Sequence, residues 1–219
     1  MSTIYGLMLA VSNDYVSPDR ITEIADSLVS LQMADGGWNL SGAYSDADVT
    51  AMALQALSAV RSYGYEDNIQ KGVGRLASLQ KDDAGYASYG VNNSESTAQV
   101  LMALCALNID YRTDTRFIKN GHTVLDALMG YRTSKGAFSH TKDGKPNALA
   151  TTQALGALVC ADNYEKHGTF IYRYGNIQSR PVQKETQPDV KPSPEQPAKT
   201  EPHHSCDGSI AATEHTQEI

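Results

Sequence analysis

The 219-residue chain carries 18 basic and 25 acidic residues, a net charge of −7. A nucleic-acid binder needs a basic face to neutralise phosphates, so this balance argues against one. The longest apolar runs, such as Ala53 to Leu57, fall far short of the ~20 residues of a membrane-spanning helix.

Met1 to Leu9 is apolar but has no basic flank and no small-residue cleavage site, so it is not read as a signal peptide. Ile4 to Val11 reads instead as a leading apolar helix. An amphipathic helix follows, with Ser17 as N-cap, Pro18 at the first helical position, and Ile21, Ile24, Leu28 and Leu31 at helical spacing. Ile69, Val73, Leu76 and Leu79 repeat that pattern, and Val124, Leu125, Leu128 and Met129 repeat it again.

Each amphipathic helix runs into a turn. The three turns read Leu31-Gln32-Met33-Ala34-Asp35-Gly36-Gly37-Trp38, Leu79-Gln80-Lys81-Asp82-Asp83-Ala84-Gly85-Tyr86 and Tyr131-Arg132-Thr133-Ser134-Lys135-Gly136-Ala137-Phe138. A long polar residue stands six places before the aromatic and a small residue two before it. The aromatics recur at spacings of 48 and 52. A second element opens at Thr50, Thr97 and Thr151, with spacings of 47 and 54. Two independent markers with matching periods define three repeats of a helix–turn–helix unit.

The second helices (Val49 to Ala59, Ala98 to Leu107, Leu149 to Ala161) are apolar nearly all round, so they must be buried on most sides. An inner and an outer layer follow. Ala51, Ala53, Ala56, Ala103, Ala106, Ala154 and Ala157 let the inner helices pack closely. In the turns, glycine permits a positive φ, and Gln32 or Gln80 can bond freed backbone groups. Trp38, Tyr86 and Phe138 are candidate ligand-stacking residues, but core anchoring is the preferred reading.

Cys105 and Cys160 sit in apolar helical stretches and read as buried thiols. With Cys206 the count is odd, which does not suggest a disulfide framework, although it does not exclude an extracellular location. After Tyr174 there is no aromatic residue, and six of the eight prolines fall between Pro181 and Pro202. Residues 1–175 are therefore read as the folded domain and 176–219 as a disordered Pro/Glu/Gln-rich tail or linker. No metal site is assigned to His203, His204 and Cys206.

Gln32-x-x-x-Gly36-x-Trp38 resembles the Gln–Trp repeat of the squalene and terpene cyclase and prenyltransferase superfamily. The resemblance implies an all-α fold, an α/α toroid of inner helices around a centre with outer helices outside. Residues 1–175 also resemble repeat modules of bacterial surface proteins related to the cobalamin carriers intrinsic factor and transcobalamin. That likeness rests on Asp46 to Leu57, Asn93 to Val100, and Arg116 to Gly121 continuing through Leu128. A closed ring of the superfamily has about twice the helix pairs found here. Three pairs and a leading helix, seven helices in all, make about half a ring. Either the sequence is a fragment, or the arc is completed by a second copy or another protein. Such an arc would expose apolar flanks.

The class II cyclases carry Asp-x-Asp-Asp-Thr-Ala at the head of an inner helix. Here the stretch reads Asp46-Ala47-Asp48-Val49-Thr50-Ala51, with Asp48 at the proton donor's place and Val49 where the next Asp would stand. The corresponding positions are Asn93 and Glu95, then Asn147 and Leu149. A polar residue recurring just before a helix is what N-capping predicts. No catalytic residue is assigned, and Asp48 is the one candidate. The Asp-x-Cys of zinc-dependent protein prenyltransferases, the thioester motif, Gly-x-Ser-x-Gly, His-Glu-x-x-His and a phosphate loop are all absent from the sequence. His122 and His140 lie near the third turn, and solvent-facing placement is preferred for His140.

The resemblance implies a non-catalytic binding or interaction module, placed outside the cell or at its surface. The ligand would sit at the inner-helix N-termini, where spare N–H donors and partial positive charge suit polar or anionic groups. The candidates are Asp46, Asp48, Asn93, Glu95, Asn147, Trp38, Tyr86 and Phe138. A small molecule, a glycan or a peptide could fill the role. Cobalamin is suggested by kinship alone, and no cofactor is assigned. One alternative is a cyclase- or prenyltransferase-like enzyme acting on an isoprenoid, although three Phe and one Trp are sparse for stabilising carbocations. The other is a structural spacer.

Overall fold

The computed structural model describes residues 1–12 and 16–168. The tail read as disordered, with His203, His204 and Cys206, lies outside the described residues. Seven α-helices are present among them: α1 (Ser2–Val11), α2 (Pro18–Val29), α3 (Ala47–Ser58), α4 (Glu66–Leu79), α5 (Ser94–Ala106), α6 (Val124–Met129) and α7 (Ala148–His167). None of the described helices is long and apolar enough to cross a membrane.

The inner row runs α1, α3, α5, α7, each packed on the next. The outer helices do not pair as the sequence order suggests. α2 packs on α1, α4 on α3 and α6 on α5, so each outer helix rests on the inner helix that precedes it in the chain. α5, flanked on both sides, is buried from Ser94 to Ala98 and from Val100 to Cys105. A fully buried Leu in such a row contributes about 1.5–3 kcal/mol.

One element departs from the all-helical expectation. Tyr86–Ser88 (β1) and Val91–Asn93 (β2) form a small antiparallel hairpin in the register Tyr86↔Asn93. Its turn places Tyr89 at φ 47° and Gly90 at φ 81°. Two positive φ values at the centre of a two-residue loop match the twist of paired strands.

The three turns share one hydrogen-bonded frame. Gly36 N donates to Met33 O and Met33 N to Gly37 O, and the same pair of bonds recurs around Ala84 and around Gly136. The small residue two before each aromatic has positive φ: 87° at Gly36, 62° at Ala84 and 88° at Gly136. A threonine of the inner helix then clips the turn. Trp38 N donates to Thr50 Oγ1 at 2.9 Å, Tyr86 N to Thr97 Oγ1 at 3.1 Å and Phe138 N to Thr151 Oγ1 at 3.0 Å. The recurring Thr of the second sequence marker has this physical cause.

The glutamines tie repeats together. Gln32 Nε2 donates to Gly36 O within its own turn and to Asn68 O on α4, at 2.7 and 2.9 Å. Gln80 Nε2 does the same with Ala84 O and Phe117 O, at 3.0 and 2.9 Å. Across the inner row, Gln55 Nε2 donates to Gln99 Oε1 and Gln99 Nε2 to Gln153 Oε1, at 2.9 and 3.1 Å.

A candidate binding site at the inner-helix N-termini

Asp46, Asn93 and Asn147 sit in extended conformation at the heads of α3, α5 and α7 and cap them. Asp46 Oδ1 accepts from Asp48 N at 2.9 Å and from Val49 N at 3.3 Å. Asn93 Oδ1 accepts from Ser96 N at 2.7 Å, and Asn147 Oδ1 from Ala150 N at 2.9 Å. These caps take up one or two of the first-turn N–H groups at each head. The positive helix ends also meet acids. Asp48 and Glu95 occupy the first turns of α3 and α5. The matching residue of α7 is Leu149, so the third end carries no acid.

The heads of α3 and α5 are also held by the loop that follows the next turn. Ser88 Oγ donates to Asp46 Oδ2 at 2.5 Å. One repeat on, Ser94 N donates to His140 O at 3.0 Å and Ser94 Oγ to Ser139 O at 2.8 Å. Glu95 is buried, yet its Oε2 accepts from Ser94 Oγ at 3.0 Å and lies 2.9 Å from His140 Nδ1. The His140 side chain is half exposed, in keeping with its turn position, but one ring nitrogen belongs to this cluster. His122 is exposed elsewhere.

Asp48 is the unsatisfied member. Its Oδ1 is buried and has no hydrogen-bond partner. Ser96, wholly buried, also has an unpartnered hydroxyl. It lies beside the Asp48 carboxyl, near enough to pull its pKa down. Burial above all raises the Asp48 pKa to about 6; the charges of Asp46 and Glu95 push the same way, while Ser96 and His140 pull it down.

The turn aromatics play no part at this surface. Trp38, Tyr86 and Phe138 are 2%, 0% and 1% exposed. Trp38 Nε1 donates to Leu28 O at 2.9 Å. They are the core anchors of the hairpins, with no face left for a ligand. Near the Asp46 cap the exposed aromatics are Tyr44 and Tyr89, at 80% and 84%. Tyr44 stands two residues before the Asp46 cap, and Tyr89 follows Ser88, which bonds Asp46. Sequence reasoning passed over both. Their one signal was position, in the loops that lead from turn to inner helix.

The structure thus brings Asp46, Asp48 and Glu95 together with Ser96 and His140, while Asn147 stands apart at α7 and Asn93 serves its own helix. No group of three metal-ligating side chains occurs among the described residues. Cys105 and Cys160 are both buried.

No protein-family profile matches the chain. No curated protein matches it either. Among solved structures, it is similar to the Candida albicans protein geranylgeranyltransferase-I complexed with GGPP, at a TM-score of 0.52 and 14% identity. The match covers 75% of this chain and 49% of that one, so the chain spans about half the length of its structural neighbour. At that identity the likeness carries architecture and not activity: this chain has a prenyltransferase-type α/α fold.

Proposed function

We propose that the helical repeats form a non-catalytic binding module that takes a cationic group at the heads of α3 and α5. One observation carries the reading: the buried, unpartnered Asp48 oxygen beside the unpartnered Ser96 hydroxyl. An ammonium or guanidinium donor would satisfy both atoms and neutralise the repulsion among Asp48, Asp46 and Glu95. Tyr44 and Tyr89 would flank it, adding apolar area or cation–π contact. This favours a lysine- or arginine-bearing peptide, or an amine-bearing small molecule, over the anionic ligand that helix ends alone suggest. Placement at a bacterial cell surface rests on the sequence resemblance and is proposed with it.

A second reading has one observation in its favour. A carboxyl with its pKa raised to about 6 holds its proton longer than most, as an acid catalyst acting on an isoprenoid would. The burial of all three turn aromatics weighs against it, because they cannot also line a cavity.

Thermal-shift titration of the full chain separates the two. The probes are a lysine-rich peptide, its Nε-acetylated form, a neutral oligosaccharide, cobalamin and an isoprenoid diphosphate. The binding reading expects a shift with the free-amine peptide alone, lost in Asp48→Asn and Glu95→Gln. A ligand at about a hundred times its Kd adds roughly 2.7 kcal/mol, enough to read as several degrees. A shift with the diphosphate alone would move the assignment to the enzyme. A shift with none of the probes would leave the spacer.

A further inference from the structure

The first turn and α4 form a cleft of about 300 Å³, walled by Asp35 and Gly36 on one side and by Lys71, Gly74, Arg75 and Ser78 on the other. Lys71, Gly74 and Ser78 are exposed, so the cleft opens to solvent. None of its walls belongs to the acidic cluster at the heads of α3 and α5.

The cleft holds a fixed cation. Arg75 Nε donates to Ser45 Oγ at 2.7 Å, Nη1 donates to Ser78 Oγ at 3.3 Å, and Nη2 lies 3.2 Å from Asp35 Oδ2. Asp35 is held in turn: Ser45 Oγ donates to its Oδ2 at 2.8 Å and Gly37 N to its Oδ1 at 3.0 Å. A guanidinium has five N–H donors, and these contacts engage three at most. One therefore remains on Nη1 and one on Nη2, a pair spaced for two oxygens of one anion. Lys71 stands one turn earlier on the same face of α4 and forms no ion pair among the described residues. Two positive charges against the one carboxylate of Asp35 leave a single charge to be matched.

Gly74 points the same way. Glycine inside a helix costs stability relative to alanine. Gly72, in the same helix, has a packing reason, because a Cβ there would meet Leu54 Cδ2 at 2.9 Å and Trp38 Cζ3 at 3.0 Å. A Cβ at Gly74 would meet nothing within 4 Å. Packing among the described residues does not require a bare backbone at 74; what it does is keep the cleft clear beside Lys71 and Arg75. The other turns do not repeat the arrangement. At the second turn the matching Asp83 is paired with Lys142 Nζ at 2.7 Å, and at the third the place is taken by Lys135.

We propose that this cleft binds the singly charged oxyanion of a ligand, a carboxylate or a sulfate ester, forked on the free end of Arg75 with Lys71 as its second cation. The proposal goes beyond the cation-binding reading and stands without it.

NMR spectra of the amide and guanidinium N–H groups of the full chain test it. Sodium acetate and sodium methyl sulfate are the probes, with sodium chloride at equal ionic strength as the control. The expected result is a saturable shift of Arg75 Nε–H and of the Gly36 and Gly74 amides with one or both probes, and none with chloride. The tighter probe names the group. Lys71→Gln, at an exposed position, should weaken binding by about tenfold. Gly74→Leu should abolish the shifts by filling the cleft, while the better helix former raises the melting midpoint by about 2 °C. Shifts that follow ionic strength alike in all three salts would overturn the proposal. So would saturable binding that survives both substitutions, or a Gly74→Leu chain that melts lower, which would give the glycine a packing role.

Discussion

Replacing Asp48 by Asn should make the protein more stable at neutral pH. The carboxyl's pKa is raised from 3.8 to about 6 on folding. At ~1.36 kcal/mol per unit this is about 3 kcal/mol held against the ionised form, and the partial exposure of Asp48 brings it to about 2 kcal/mol. The direction with pH follows from proton counting. Between pH 3.8 and about 6 the folded state holds more of this proton than the unfolded chain. The penalty is therefore full above pH 6 and disappears as the pH falls below 4. Asparagine removes the charge and keeps the shape, and its amide can donate to Glu95 or Ser96. Urea denaturation of wild type and Asp48→Asn at pH 7.5 and pH 4 reads the difference directly. The expected gain is about 2 kcal/mol at pH 7.5, shrinking toward zero at pH 4. A loss at pH 7.5, or a difference that does not change with pH, would refute the reasoning. A costly acid kept at a helix head is also what a binding site would maintain.

Two further outcomes follow from the turns. Gly36 and Gly136 occupy equivalent left-handed positions, yet a methyl at Gly36 would meet Lys71 O at 2.8 Å while at Gly136 the nearest atom is Arg132 Nη2 at 3.8 Å. Gly136→Ala should cost about 1–2 kcal/mol for the backbone alone, and Gly36→Ala clearly more; equal losses in thermal melts would contradict the geometry. Thr50→Val keeps the volume but removes the acceptor for the Trp38 N–H, and with Thr50 fully buried it should cost about 1–3 kcal/mol in denaturant titration.

The repeats, the two layers and the buried turn aromatics were legible in the sequence because each is local or periodic. Thr50, Thr97 and Thr151 marked the period before their role as clips could be known. The Tyr86–Asn93 hairpin was not legible: its strands are three residues each and its Tyr89-Gly90 turn looks like any loop. Pairing each outer helix with the preceding inner helix is a choice that hydrophobic spacing does not make. The caps at Asp46, Asn93 and Asn147 were readable from residue type and position. The meeting of Glu95 with His140, 45 residues on, was not, because it depends on how one repeat's loop folds onto the previous helix. Tyr44 and Tyr89 were missed for a related reason: sequence marks an aromatic as apolar, while its exposure is set by the fold.

The glutamines have a consequence for how the array melts. Gln32 and Gln80 each hold their own turn and also a backbone carbonyl of the following repeat, whereas at the third turn Arg132 is exposed and Thr133 bonds Ala137 O instead. In a nearest-neighbour description, intrinsic repeat stability and junction strength are separate quantities. The threonine clips belong to the first and the glutamines to both. A repeat with Gln at this place therefore carries its own linkage to whatever follows it, and cooperativity along the row is encoded one side chain at a time.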